Sequence, residues 1–204
     1  MAANGQETEA KFYVSNLNKI ELRLLELKAQ LIQPRVHEIN LRFDDPAGSL
    51  RRDFKVLRLR KDTEAKFTYK GPSEERESGV MSRKEIEFTV SDFESAKQFL
   101  ELLGYIPVIF YEKFRTTYEI KDAHIMLDEL PYGTFVEIEG EDIQTIEEIA
   151  NLLGLKWREM VKAGYHALFD RVAAKFKLKS GDLSFKALES THITADDLNI
   201  RPAD

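Results

Sequence analysis

The chain has 204 residues, of which 43% are hydrophobic and 32% charged, and its formal net charge is −6. This composition excludes a disordered chain, and the acidic balance argues against a general nucleic-acid binder. The lack of cysteine excludes disulfides and thiolate metal ligands and favours a reducing cytoplasm; there is also no signal-peptide pattern in residues 1–6 and no apolar run of roughly 20 residues for a membrane span.

Three units along the chain share one plan: a strand with a Glu-x-Glu pair, a capping residue, and a helix with a leucine-rich end. The strand pairs are Glu7 and Glu9, Glu85 and Glu87, and Glu137 and Glu139. Ser91 and Glu94 form a capping-box pattern at the second helix, and Gly104 and Gly154 suit helix C-terminal ends. The plan predicts helices over 15–31, 91–103 and 142–153.

The remaining segments mostly alternate in polarity, which is typical of strands. Turns are predicted at 62–63, 121–122 and 131–133, a polar loop at 71–79, and a further helix over 159–176. The predicted strands cover 7–14, 35–44, 54–61, 64–70, 80–90, 110–121, 123–129 and 133–139. Residues 1–176 are expected to form one domain, and 177–204 an extension with a short helix near 182–190.

One face of these strands is repeatedly charged, because alternate side chains of a strand share a face. Besides the three Glu-x-Glu pairs, the charged positions are Lys11, Arg58, Arg60, Lys66, Lys70, Arg83, Lys113, Arg115 and Asp128. A solvated sheet surface would explain any single strand. It does not explain why acidic pairs recur on three strands and basic pairs on three others, and it leaves the apolar helix faces uncovered.

We therefore predict an α+β fold in which a closed antiparallel eight-stranded β-barrel, with helices packed outside, encloses a charged lumen. Carboxylate clusters suit Mg²⁺ or Mn²⁺, and Lys and Arg clusters suit phosphate oxygens. Together they describe a metal–polyphosphate site. The four histidines form no spaced ligand set, so zinc is not expected.

The motifs, in their order along the chain, resemble those of the CYTH superfamily, the triphosphate tunnel metalloenzymes. That superfamily includes class IV adenylate cyclases, thiamine triphosphatases and inorganic triphosphatases. The matching motifs are Glu7-x-Glu9-x-Lys11, Leu57-Arg58-Leu59-Arg60, Tyr69-Lys70-Gly71-Pro72, Arg83-x-Glu85-x-Glu87, Gly104-Tyr105-x-Pro107, Glu112-Lys113-x-Arg115-x-x-Tyr118, Leu127-Asp128 and Glu137-x-Glu139. The resemblance extends from residue 7 to about residue 170, and residues 104–118 look most like the class IV cyclase branch.

The resemblance implies a role for each of these residues. It implies metal ligands at Glu7, Glu9, Glu137 and Glu139; catalytic roles for Glu85, Glu87, Asp128 and Lys70; and phosphate binding by Lys11, Arg58, Arg60, Lys66, Lys70, Arg83, Lys113, Arg115 and Lys162. Lys66 fits the lumen or its rim equally well, and Lys162 fits a solvated helix lysine as well as a lumen residue. Tyr165 falls where many members carry a Ser-Tyr pair, but Gly164 replaces the serine.

The predicted function is metal-dependent hydrolysis of a triphosphate, either inorganic or carried by a nucleoside or thiamine. A class IV adenylate cyclase is the alternative, because the same site serves either reaction, depending on which phosphorus meets the nucleophile. Hydrolysis is favoured since it requires only the charged lumen. A second alternative is a non-catalytic polyphosphate-binding module, which would not need the acids. The expected partner is a small-molecule triphosphate, with no nucleic acid or membrane, for a cytoplasmic monomer or homodimer.

Overall fold

A computed structural model describes residues 6–72, 74–75, 81–178 and 181–204, without the side chains of 6–7, 74–75 and 81–82. The strands are β1 Gln6–Val14, β2 Gln30–Asp44, β3 Val56–Lys61, β4 Ala65–Lys70, β5 Glu74–Glu75, β6 Met81–Val90, β7 Ile106–Ile120, β8 Ala123–Leu130, β9 Gly133–Glu139 and β10 Asp182–Leu183. The helices are α1 Leu17–Glu26, α2 Ser49–Arg52, α3 Phe93–Leu102, α4 Ile143–Leu152, α5 Tyr165–Phe176 and α6 Phe185–Leu188.

These strands form one sheet in the order β1-β9-β8-β7-β2-β3-β4-β6-β5, in which neighbours are antiparallel. The short β10 pairs in parallel with β7. The sheet is strongly curled: β1 pairs with β9 along most of its length, and residues 6–9 also pair with 81–84 of β6. The predicted α+β architecture, with an antiparallel sheet and helices outside, is confirmed.

The outer face of β1, β8 and β9 carries the main apolar core. Ala10, Phe12 and Val14 alternate along β1 and pack with the equivalent positions of β8 and β9 against α1 and α4. Ile20 of α1 and Ile146 of α4 are among the fully buried side chains. Each such side chain stabilises the fold by about 1.5–3 kcal/mol through burial. These contacts place the helices on the side of the sheet opposite to the charged face.

The inner face of the sheet changes from charged to apolar along the strands. On β1 it passes from Glu9 and Lys11 to Tyr13, and on β9 from Glu137 to Phe135. At the apolar end these aromatic residues pack against α5 and the segment 181–204, in a cluster that contains Leu168, Phe169, Val172, Leu183, Leu188 and Leu198. This cluster closes off one end of the charged interior.

The residues after 176 are part of the same fold. The predicted short helix near 182–190 is present as α6, Phe185–Leu188. The Asp204 carboxylate accepts hydrogen bonds from the backbone N–H groups of Ser15, at 2.8 Å, and Asn16, at 3.2 Å. Ala203 N–H donates to the Tyr13 carbonyl at 2.9 Å. The segment therefore ties the start of α1 to the end of β1.

Several predicted boundaries were wrong because backbone geometry overrode the local pattern. Asn16 caps α1 in place of Ser15, and the helix ends at Glu26, so β2 begins at Gln30. Asp92, rather than Ser91, caps α3 by accepting from Ser95 N–H at 2.7 Å. Strand β7 begins at Ile106, four residues early.

The predicted helix over 159–176 starts only at Tyr165. A 3₁₀ turn, Trp157–Glu159, precedes it, and Val161 N–H then donates to the Lys11 carbonyl at 2.7 Å. This bond draws 160–164 against β1 in an extended form, which prevents an earlier helix start. Lys162 therefore lies in this connecting segment and not on the helix.

The predicted turns agree with the structure. Lys121 and Asp122 both have positive φ, 51° and 58°, as a two-residue hairpin that follows the sheet twist requires. Most of the predicted loop at 71–79 lies outside the described residues. None of the helices in the described part of the chain is long and apolar enough to cross a membrane.

Candidate active site

A cavity of about 580 Å³ lies inside the curled sheet, and its wall takes residues from β1, β2, β3, β4, β6, β7, β8 and β9 and from 160–166. The predicted site residues on this wall are Glu9, Lys11, Arg58, Arg60, Lys66, Lys70, Arg83, Glu85, Glu87, Lys113, Arg115, Glu137, Glu139 and Lys162. Lys66 is on the wall with 28% of its side chain exposed. The backbone of Glu7 lies in β1, but its side chain is outside the description. The alternation in the sequence thus located most of one continuous surface.

Asp128 is not on the wall but behind it, fully buried. Its carboxylate accepts from Lys113 Nζ at 3.0 Å, from Arg115 Nε at 2.6 Å and from the Tyr165 hydroxyl at 2.8 Å. We call these four residues the Asp128 network. Charge-assisted, two-point contacts of this kind fix an arginine in one orientation, so Asp128 holds two of the wall cations in place.

Glu137 connects this network to β1. It contacts Arg115 and lies 3.0 Å from Lys11 Nζ. Burial is the largest single influence on the pKa of Glu137 and raises it, but Lys11, Arg115 and Lys113 together hold that pKa well below its usual range. Burial likewise lowers the pKa of Lys11, and Glu137 and Glu9 outweigh it to give a net rise. Both groups therefore remain charged within the protein.

The two arginines of β3 have hydrogen-bonding capacity left over. Arg58 donates to Thr68 Oγ1 at 3.1 Å, and Arg60 donates to Glu87 Oε1 at 3.2 Å. The Nε atoms of both arginines are buried without a hydrogen-bond partner among the described residues. A buried N–H group without an acceptor is costly, and an oxyanion in the cavity would satisfy it.

Two acidic residues of the wall are cross-strand neighbours. Glu9 of β1 and Glu139 of β9 are register partners, and both line the cavity. Glu9 Oε1 is 3.7 Å from Arg83. Like charges opposite one another in adjacent strands are destabilising, and a cation between or beside them removes the repulsion.

The donor chemistry of this pair fits a hard divalent ion. Among the described residues, no three carboxylates or imidazoles converge into a ready metal-binding group. Mg²⁺ does not require one, because it is usually held by one or two carboxylates, several waters and the phosphates of a substrate. Glu9 and Glu139 therefore fit the predicted Mg²⁺ or Mn²⁺ as a partial ligand set that a phosphate would complete.

The sequence analysis did not identify several wall residues. Glu38 is 1% exposed and lies 3.6 Å from Lys113 Nζ and 3.7 Å from Arg60. Burial acts most strongly on its pKa and raises it, but Lys113 and Arg115 lead a group of cations that lowers it overall. Arg42, Tyr111 and His166 also line the cavity, together with Tyr165, whose role the sequence left open. The signal was present in Glu38-x-Asn40-x-Arg42, which has the strand period but mixes acidic, neutral and basic side chains.

The sequence of residues 5–163 matches the family model of the CYTH domain. The chain belongs to the CYTH family. Comparison of this CYTH protein with curated protein sequences gave no match. The resemblance that the motifs predicted is confirmed.

Solved structures share the fold of this CYTH protein. A candidate adenylate cyclase from Vibrio parahaemolyticus has a TM-score of 0.72 at 21% identity, covering 81% of this chain and 99% of that one. A protein from Pyrococcus horikoshii has a TM-score of 0.65 at 26% identity, covering 78% and 96%. A candidate adenylyl cyclase from Hippeastrum with a dominant triphosphatase activity has a TM-score of 0.62 at 19% identity, covering 80% and 95%.

Proposed function

We propose that this CYTH protein hydrolyses a small-molecule triphosphate, with a divalent metal ion, inside the cavity. The observation that carries the proposal is the presence, on one wall, of two buried arginine Nε–H groups that have no hydrogen-bond partner among the described residues and of two acidic residues that are cross-strand neighbours. We further propose that the sheet closes into a tunnel around the substrate. The pairing of β1 with both β9 and β6 supports this closure.

A Mg²⁺ or Mn²⁺ ion held by Glu9 and Glu139, with Glu137 and Glu7 as further predicted ligands, would neutralise charge on the phosphate oxygens. The other charged residues of the wall also favour an anionic ligand. Among the described residues, ten lysines and arginines line the cavity against seven aspartates and glutamates, so an anionic ligand would offset the excess of positive charge. A polyphosphate chain has the required charge and can satisfy donors on several strands at once.

Phosphoryl transfer depends mainly on positioning and on electrostatic stabilisation of the equatorial oxygens. Arg58, Arg60 and Lys70 are assigned to grip the phosphates. Glu87 accepts from Arg60 and from Thr68, and Glu85 lies 2.7 Å from Lys70 Nζ, so both acids keep these bases oriented. Water attacks the terminal phosphorus, the bond from that phosphorus to the bridging oxygen breaks, and orthophosphate and the remaining phosphate chain leave. Glu85 or Glu87 is assigned to accept the proton of the water.

Asp128 is assigned a positioning role. Its oxygens already accept from Lys113, Arg115 and Tyr165, and it does not line the cavity. It therefore acts on the substrate through the two cations that it holds. Lys11 and Lys113 also lie over the Tyr165 ring, at 4.1 Å and 5.5 Å from its centroid, and this cation–π contact adds to their fixed orientation.

A product assay tests the proposal. Inorganic triphosphate, ATP and thiamine triphosphate are each incubated with Mg²⁺, Mn²⁺ or EDTA, and orthophosphate, pyrophosphate and cyclic AMP are resolved. We expect metal-dependent orthophosphate release, with inorganic triphosphate cleaved at least as efficiently as ATP because the phosphates make the decisive contacts. Cyclic AMP and pyrophosphate from ATP, with inorganic triphosphate left intact, would establish the cyclase alternative. Tight binding without any product would establish the binding module.

A further inference from the structure

Arg42 is a wall residue outside the predicted phosphate-binding set. It lies on β2, directly opposite Arg58 of β3 on one side and Ile109 of β7 on the other. Among the described residues, the other arginines of the wall each lie within ion-pair distance of an acid of a Glu-x-Glu pair, and Arg42 does not; the others are Arg58, Arg60, Arg83 and Arg115. The position of Arg42 places a second arginine directly beside Arg58 inside the cavity.

The charge of Arg42 has no acidic partner in the described part of the chain. Among the described residues, no carboxylate lies within ion-pair distance of its guanidinium. Burial is the main cause that lowers the pKa of Arg42; Tyr111, the next largest influence, opposes it, and the neighbouring Arg58, Arg83 and Arg51 lower the pKa further. An arginine stays protonated even so, so this cluster of cations is stabilised by any anion that enters it.

His166 lines the same cavity as Arg42, and Arg42 is among the charges that act on its ring. His166 is the second residue of α5, and its side chain is 20% exposed. Both ring nitrogens are buried without a hydrogen-bond partner among the described residues. The Asp170 carboxylate is 3.5 Å from Nε2 and does not form a hydrogen bond with it. Burial, chiefly, lowers the pKa of His166, with Arg42 and Arg51 adding to the effect and Asp170 opposing it.

The start of α5 adds a third favourable feature. Gly164 is the N-cap and supplies no side-chain hydrogen bond to the first turn. Gly164, Tyr165 and His166 all line the cavity. Uncapped N–H groups and the positive end of the helix dipole favour an anion at this point.

We propose that Arg42 and His166, at the N-terminal end of α5, form an anion-binding subsite that takes a phosphoryl oxyanion. The guanidinium supplies charge and two parallel N–H donors, and the neutral imidazole supplies one more N–H donor. The inference rests on the proposed function for the source of this group, which is one phosphoryl unit of the triphosphate. Free orthophosphate, the product of hydrolysis, has the same chemistry and is the second source to be tested.

The test compares Arg42→Gln with Arg35→Gln as a matched control. Arg35 lies on the same strand, is 52% exposed and pairs with Glu129 away from the cavity wall. Inorganic triphosphate and orthophosphate are each titrated calorimetrically in EDTA, which blocks turnover. We expect at least a tenfold weaker Kd for triphosphate in Arg42→Gln and no change in Arg35→Gln. Arg42→Lys, which keeps the charge but loses the two-pronged geometry, should lie between them.

NMR titration of the histidine rings gives a readout independent of hydrolysis. The His166 signal is assigned by its disappearance in His166→Gln. A bound oxyanion favours the imidazolium, so triphosphate should raise the pKa of His166 in the wild type but not in Arg42→Gln. A rise with orthophosphate as well would make the subsite a product site too, and a rise with triphosphate alone would make it a substrate site.

The outcomes separate the subsite from the proposed function. Unchanged triphosphate affinity in Arg42→Gln, with a His166 signal that ignores both ligands, overturns the subsite even if the wild type hydrolyses triphosphate. An Arg42-dependent response of His166, in a protein that hydrolyses no triphosphate, supports the subsite and overturns the proposed function. If Arg42→Gln is misfolded by circular dichroism, the Arg42→Lys and His166→Gln variants decide the question in its place.

Discussion

Two parts of the cavity wall differ in how fully the protein satisfies its own charges. In the Asp128 network, each ionic group has partners of opposite charge at hydrogen-bond distance, and Asp128 has three donors. In a second part of the wall, formed by Arg42, Arg58 and His166, such partners are missing among the described residues. Within the described chain, the Nε–H group of Arg58 and both ring nitrogens of His166 have no hydrogen-bond partner, and Arg42 has no paired carboxylate. The difference indicates two roles: the Asp128 network, whose charges are paired, stabilises the wall, and the residues with unpaired groups bind the ligand.

The largest expected effect tests the network. Asp128→Ala removes the buried carboxylate that Lys113 and Arg115 share and leaves them only Glu38 and Glu137; breaking a buried ion pair in this way costs about 3–5 kcal/mol. Chemical denaturation of the apoprotein measures the loss. Glu129→Ala is the control on the same strand, because the exposed pair of Glu129 with Arg35 is worth about 1 kcal/mol or less. A loss for Asp128→Ala no greater than that of the control would remove the structural role of the network.

Glu9→Gln tests the opposed carboxylates. The change keeps the size of the side chain but removes one charge of the pair, so we expect metal-dependent turnover to fall by about a hundredfold or more. Stability should change little, because relief of the repulsion with Glu139 offsets the lost attraction of Glu9 to Arg83 and Lys11. Steady-state rates across a Mg²⁺ series measure the effect, with Glu148→Gln on the exposed face of α4 as the control. Turnover equal to that of the wild type would exclude Glu9 as a metal ligand.

Arg58→Ala tests whether the basic residues of the wall contribute to triphosphate binding; we expect a loss of affinity. Each charge-assisted contact to a phosphate is worth about 1.5–3 kcal/mol, which is roughly a tenfold to hundredfold change in Kd. Calorimetry with a non-hydrolysed triphosphate analogue measures it. If the affinity is unchanged in both Arg58→Ala and Arg60→Ala, the basic wall does not bind the phosphates.

Acid titration tests the buried carboxylates by their effect on stability. The pKa of Glu38 in the folded protein lies below its ordinary value of 4.5, because the surrounding cations outweigh burial. Its ion pairs therefore stabilise the fold at a pH above about 4.5, and this stabilisation is lost progressively as the pH falls below that value. Denaturation midpoints from pH 7 to pH 3 should fall less steeply in Glu38→Gln than in the wild type. Parallel curves would show that Glu38 is not ion-paired in the fold.

The smallest expected effect lies outside the cavity. Asn16 caps α1 by accepting from Lys19 N–H at 3.1 Å, and loss of such a cap costs about 1 kcal/mol. Asn16→Ala should lower the denaturation midpoint slightly and leave triphosphate affinity and turnover unchanged. A drop in turnover would show that the helices outside the sheet do more than support it.

The sequence correctly predicted wall residues where two charged residues lie two positions apart in one strand. Arg58 and Arg60 are separated by one leucine, and Glu137 and Glu139 by one isoleucine, so each pair had to share a face of its strand. The hairpin at 121–122 and the glycines after α3 and α4 were also predictable, because their backbone conformations depend on local sequence.

Other features had no such local signal. Arg42 and His166 lie more than a hundred residues apart in the chain and line one cavity only because α5 packs against the apolar end of the sheet. The period placed Asp128 on the inner face, but its burial behind the wall depends on Arg115 from the neighbouring strand and Tyr165 from α5. The displaced start of α5 likewise follows from the bond between Val161 and Lys11.

The alternation of residues along each strand therefore indicates which side chains point inward, and with them the family and the chemical character of the cavity. Side-chain direction along a strand is set by local backbone geometry. Three-dimensional packing controls which of those charges neutralise one another and which remain for a ligand. That outcome depends on distances between groups on strands and helices remote in the chain, and the energy of a buried charge changes by several kcal/mol with the presence or absence of one partner.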